Sequence, residues 1–192
     1  MTETLIFLIK TVASIFCALL FIRAWLFYLK VPAFNDYSRF IYKLTDFAVK
    51  PTQKILPTGD KIDWASMILA FIVCVAMAFI VTTLWISSIE IPYKGHSSAM
   101  FIDIGHVLLF GLSYYLQNFL SIILWVGIVY AITSWLAPQS ALMPFLRSMM
   151  EPMLIPIRNK LPESLKQSPV DLSLFVLLIV VLLLQVLVGN II

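Results

Sequence analysis

Four long apolar runs divide the chain, over residues 5–29, 64–89, 119–136 and 172–192. At 1.5 Å per residue each is long enough to cross a hydrocarbon layer about 30 Å thick, tilted or upright. The third run is the least sharply bounded, because apolar character begins near Met100 and continues to Leu136. As one helix that stretch would exceed about 50 Å. Asp103, His106, Gln117 and Asn118 also interrupt its early part. The crossing is therefore placed at 119–136, with residues 100–116 expected as an interfacial segment or a tilted extension.

The connections between the runs have a pattern of their own. In the first, Tyr37, Phe40, Ile41, Leu44, Phe47 and Ala48 recur at i, i+3, i+4, i+7 spacing, with Asp36, Arg39, Lys43 and Asp46 on the other sides. The spacing predicts an amphipathic helix over 36–49. In the third, Leu142, Phe145, Leu146, Met149, Met150, Met153 and Leu154 predict a second such helix over 143–155. Pro144 suits its first turn, and Pro152 is expected to bend or end it. A short amphipathic helix tethered between two spans lies along the membrane surface or docks on the bundle. Surface placement is preferred over re-entry into the bilayer.

The two halves match. Trp25 closes the first run and Trp135 the third, and Pro51-Thr-Gln-Lys-Ile-Leu-Pro57 parallels Pro156-Ile-Arg-Asn-Lys-Leu-Pro162. Ile62-Asp63 and Val170-Asp171 then precede the second and fourth runs. The expected fold is an all-α membrane protein of four transmembrane helices, built as two helix–amphipathic loop–helix repeats over 1–98 and 99–192. Two spans per unit give both copies the same orientation, a parallel repeat.

Composition agrees, with 61% hydrophobic residues, 12% charged and a mean hydropathy of +1.00. Soluble domains carry about 25% charged residues. The placement of charge adds a direction. Of 13 Lys and Arg, Lys30, Arg39, Lys43, Lys50, Lys54, Lys61, Arg147, Arg158, Lys160 and Lys166 lie on one side, and the second connection holds only Lys94. That side is expected to be cytoplasmic, with both termini outside. The bilayer and its anionic headgroups are the implied partners. Nucleic acid is not expected.

Candidate site residues follow from these positions. Asp63 and Asp171 each precede a span and are read as helix caps. Lys50, Lys54, Arg158 and Lys160 flank the Pro-bounded turns, where they suit anionic lipid or a soluble protein partner. Arg23, one to two turns inside the first span, is within reach of a carboxylate such as Asp46 or a helix-terminal carbonyl; snorkelling also explains it. Gln185 is expected to bond a neighbouring helix. Small residues at every fourth position (Ser14 and Ala18; Ala70, Cys74 and Ala78; Gly127 and Ala131) mark a bundle seam or a homo-oligomer contact. Cys17 and Cys74 are read as packing residues. His96 and His106 lack companions for a metal or haem site. No catalytic, cofactor or metal residue is assigned, and nucleotide-binding, zinc-protease and hydrolase motifs are absent.

Arg23-Ala-Trp25, the Pro51 to Pro57 stretch, Ile62-Asp63, Ser134-Trp135 and Glu151-Pro152 through Pro162 together resemble the YggT family of small bacterial membrane proteins. The resemblance spans both repeats. It implies a protein of the bacterial inner membrane with no established reaction. Its relatives are linked to cell-division neighbourhoods and to assembly of membrane cytochrome complexes. The expected function is that of a non-enzymatic scaffold or assembly factor. A small osmotic or ion channel formed by oligomerisation, and a haem or cytochrome-assembly helper, are the alternatives.

Overall fold

The computed structural model describes residues 2–31, 36–56, 59–88, 104–160 and 171–190. Among them lie six helices: α1 (Thr2–Tyr28), α2 (Asp36–Gln53), α3 (Trp64–Ser88), α4 (Ile104–Leu136), α5 (Leu142–Lys160) and α6 (Leu172–Gly189). Four of them, α1, α3, α4 and α6, are long and apolar enough to cross a membrane. The protein is an all-helical, multi-pass membrane protein. Several positions singled out above lie outside the described residues: Pro57, Pro162, Lys94, His96, Asp103, Lys166 and Val170.

The spans pack mainly in chain order, α3 against α1 and α4, and α6 against α4. Lipid offers apolar side chains as good a home as a neighbouring helix does, so close backbone approach decides the contacts. The α1–α3 seam is made of small residues: Cys17, Ala70, Cys74 and Ala78 are all buried, with the two sulfur atoms 3.5 Å apart. The α3–α4 seam closes at Gly111. A Cβ there would stand 2.8 Å from Val75 Cγ2 and 2.9 Å from Val75 Cα. The apolar side chains left exposed on the spans, such as Leu8, Ile72, Trp125 and Leu183, face the hydrocarbon.

Helix α4 takes the second of the two forms expected for residues 100–116, an extension of the third span. It is continuous over 33 residues from Ile104, well beyond the expected crossing at 119–136. Two features explain its length. No proline interrupts 104–136, and two polar side chains of the early part are bonded, one within the helix and one to α6. Asn118 Nδ2 donates to the Tyr114 carbonyl at 2.8 Å, and Ser113 Oγ to the Val188 carbonyl of α6 at 3.3 Å.

Helix α5 is also longer than its sequence expectation, because Pro152 does not end it; Pro152 and Pro156 both lie inside. A helical proline leaves the carbonyl of residue i−4 without its bond. These two prolines are one turn apart on the exposed side of the helix. The freed carbonyls of Ser148 and Pro152 therefore lie on the side turned away from the bundle. Packing holds the other side: Phe145, Leu146, Met149, Met150 and Leu154 share a core with Leu26, Tyr130 and Leu174.

Helix α2 is built differently, with three faces roughly 120° apart at 100° per residue. Ser38, Ile41, Thr45 and Val49 are buried against the bundle. Phe40, Leu44 and Phe47 are exposed. Arg39, Lys43 and Lys50 form the charged face. One face thus packs on protein, one is apolar and exposed, and one is charged. The α2 and α5 helices meet through the rings of Tyr37 and Phe145, 5.4 Å apart.

Candidate functional site

At the end of the bundle that carries α2 and α5, each repeat holds a carboxylate at the start of its second span. In the first repeat this is Asp63. Its carboxylate accepts from the Ser66 backbone N–H at 3.3 Å and from Ser66 Oγ at 2.6 Å, capping α3. In the second it is Asp171, which accepts from the Ser173 backbone N–H at 3.1 Å and from the Ser173 hydroxyl, capping α6. The positive end of a helix dipole favours a negative side chain at both places.

Each cap carboxylate is also met by one arginine, and the two arginines come from different elements. Arg23 projects from α1, with its side chain 6% exposed, to Asp63, 1% exposed, at 3.4 Å. The same guanidinium donates to Asp46 at 2.7 Å and to Thr45 Oγ1 at 2.8 Å, and lies 4.9 Å over the Tyr42 ring. One buried side chain of a span thus holds the amphipathic helix α2 and the start of α3 together. Lys50 closes the outer side of this group with an ion pair to Asp46 at 2.8 Å. In the second repeat Arg158 of α5 pairs with Asp171, with the Tyr130 hydroxyl of α4 beside it. There, too, an amphipathic helix is fastened to the start of the following span.

The electrostatics follow from these contacts. Partial burial by itself raises the Asp46 carboxyl. The hydrogen bonds from Lys50 and Arg23 outweigh it and hold the group below its ordinary value. Burial likewise opposes ionisation of Asp171, and its bonds from Arg158 and Ser173 prevail, lowering it. The hydrogen bond to Asp171 in turn raises Arg158.

Of the four basic residues expected at lipid or partner contacts, Lys50 and Arg158 are engaged with Asp46 and Asp171. Lys54 and Lys160 are exposed. Gln185 of α6 donates to Ser121 Oγ of α4 at 2.8 Å. His106 is exposed in the first turn of α4, and no group of three His, Cys, Asp or Glu able to hold a metal occurs among the described residues. The partners Tyr42, Thr45, Ser66, Ser173 and Tyr130 do not stand out in the sequence. Only the short spacings Asp63-x-x-Ser66 and Asp171-x-Ser173 signal any of them, as cap partners.

The exchange of arginines is visible in the repeat alignment. On the Trp25–Trp135 match Arg23 corresponds to Thr133, and on the Pro51–Pro156 match Arg158 corresponds to Gln53. Each repeat carries one arginine for its cap carboxylate, on the span in one and on the amphipathic helix in the other.

A model of the CCB3/YggT family matches the chain twice, over residues 2–84 and 109–192, one match to each repeat. A Vibrio alginolyticus protein encoded in the proC 3′ region, itself uncharacterised, is 30% identical over 97% of this chain and 94% of its own length. The uncharacterised protein YggT of Escherichia coli K12 is 28% identical over 83% of this chain and 77% of its own. An uncharacterised protein of Haemophilus influenzae is 27% identical over 96% and 91%. No solved structure matches.

Proposed function

The chain belongs to the CCB3/YggT family, and from that premise we propose that it is a non-enzymatic scaffold or assembly factor of the bacterial inner membrane. The two surface helices present their polar faces to the cytoplasm, and both termini lie outside. One observation carries the reading. The most buried ion pairs among the described residues, those of Arg23, Asp46, Asp63, Arg158 and Asp171, fasten α2 and α5 to the spans. A catalytic centre aims such groups at a substrate; here they are turned inward onto the protein's own helices. What this arrangement fixes in space is a pair of helices at one end of the bundle, each with a charged outer face. The unequal distribution of Lys and Arg supports the cytoplasmic placement of that end.

Photocrosslinking from single positions in living cells tests the proposal. A photoreactive side chain at Lys43, Lys54 or Arg147 is expected to give discrete protein adducts. The same group at Ile72 or Leu183, on hydrocarbon-facing positions, is expected to give lipid adducts instead. Adducts to protein from neither set, or equally from both, would overturn the scaffold reading. Reporter fusions that place 36–56 outside the membrane would overturn the orientation.

A further inference from the structure

A groove of 260 Å³ runs between the two repeats, and its walls are almost wholly apolar. Phe21, Ala24, Trp25 and Tyr28 of α1 line it together with Ile62, Phe119 of α4 and Met153 of α5. Ala24 and Trp25 follow Arg23 in the chain, and Ile62 precedes Asp63. The groove therefore lies close to where the spans meet α2 and α5, and a Trp and a Tyr line it, rings that settle near a membrane–water boundary. Water is a poor occupant, because a bound water needs two to four polar partners and these walls offer almost none. Hydrocarbon fits them.

Exposed lysines follow or precede two of the lining residues in the chain. Lys61 adjoins Ile62, Lys30 is two residues beyond Tyr28, and both lysines are exposed. Lys30 ends α1 in the left-handed region, at φ 52°, a helix-end position that glycine fills at lower cost. A lysine there puts a cation two residues from Tyr28, a lining residue, which glycine would not supply. We propose that the groove holds an acyl chain of one anionic phospholipid, whose headgroup is met by Lys30 and Lys61. This site depends on the membrane assignment and not on the scaffold reading, so either stands if the other fails.

Native mass spectrometry of the detergent-purified protein, with phosphatidylglycerol or phosphatidylcholine of identical chains added back, tests it. The wild type is expected to retain one phosphatidylglycerol under conditions that strip phosphatidylcholine. Two lysines near the headgroups correspond to a preference on the order of 30-fold. Ala24→Trp fills the groove and is expected to lose the retained lipid, while Leu183→Trp on the outer surface of α6 keeps it. Lys30→Gln with Lys61→Gln is expected to bind both lipids alike. Where Ala24→Trp does not fold, by helix content and thermal unfolding, Met153→Trp at the groove edge takes its place. Retention of phosphatidylglycerol by a folded groove-filled variant overturns the site. Persistence of the headgroup preference in the double glutamine variant overturns the role of the lysines.

Discussion

Arg23 is almost fully buried, and so is the Asp63 carboxylate it meets. Desolvating two such charges is costly, and their attraction offsets the cost only while both are present. Replacing Arg23 with Met is therefore expected to destabilise the protein by about 3–5 kcal/mol, because Asp63 is left buried with only Ser66 as a partner. Arg23→Lys is expected to fall between, since an ammonium cannot span Asp46, Thr45 and Asp63 with one planar fork. Thermal unfolding in detergent, followed by loss of helix signal, measures both. A Met variant as stable as the wild type would show that the pair contributes nothing. The reach of Arg23 toward Asp46 is legible in the sequence, because a cation inside a span needs a nearby anion. Thr45, Tyr42 and Ser66 are not, because only the folded path of α2 over α1 and α3 brings them to the guanidinium.

At the scale of single helices, α2 is the element whose docking depends most on titratable groups. Its bundle face is half polar, with Ser38 and Thr45 beside Ile41 and Val49, so apolar burial holds it less firmly than it holds α5. Asp46 lies below its ordinary carboxylate value because Lys50 and Arg23 stabilise the anion. Its contribution to folding is complete above the ordinary value, about 3.9, and is lost as pH falls through the lower folded one. Hydrogen-exchange protection of α2, corrected for intrinsic rates, is expected to hold from neutral pH to about 5 and to fall below about 4, ahead of α5. Asp46→Asn should give lower protection with no step across that range. Simultaneous loss in all helices would instead indicate global acid unfolding. The period of the apolar side chains is enough to reveal α2 and α5, but not to say which side of α2 faces the bundle. Phe40, Leu44 and Phe47 look like a core stripe by spacing alone, and a bilayer accepts them equally well. The length of α4 is hidden in the sequence for a related reason. Asn118 reads as a polar interruption until the carbonyl that receives it, that of Tyr114 one turn back, is known.

Across the whole molecule, the two repeats meet at the α3–α4 seam, and its tightest point is Gly111. A methyl group there would press on the Val75 Cα, a backbone atom with no room to yield, whereas at Gly127 it would meet the tip of Leu178 at 2.9 Å. Gly111→Ala is expected to cost about 1–3 kcal/mol in thermal unfolding, with Gly127→Ala the milder of the two. Equal effects would mean that the seam relaxes freely. Gly127 is legible as part of a small-residue stripe, and Gly111 is not, because no small residue stands one turn from it.

The paired repeats also pose a question of equivalence, since one anchors its cap carboxylate from a span and the other from a surface helix. If the requirement is only one guanidinium per carboxylate, its source is exchangeable. Arg23→Thr, which gives the first repeat the residue of the second, is then expected to be partly rescued by Gln53→Arg, which gives α2 the arginine that α5 holds at Arg158. The connection from Gln53 to Asp63 is shorter than that from Arg158 to Asp171, so rescue should be incomplete, and Asp46 should keep Lys50 as its partner. Thermal unfolding of the single and double variants decides the matter. No recovery in the double variant would mean that the span arginine does something its counterpart cannot, namely hold Asp46 and Asp63 with one buried group. The first repeat would then differ in kind from the second, whose amphipathic helix is held by Arg158 together with packing.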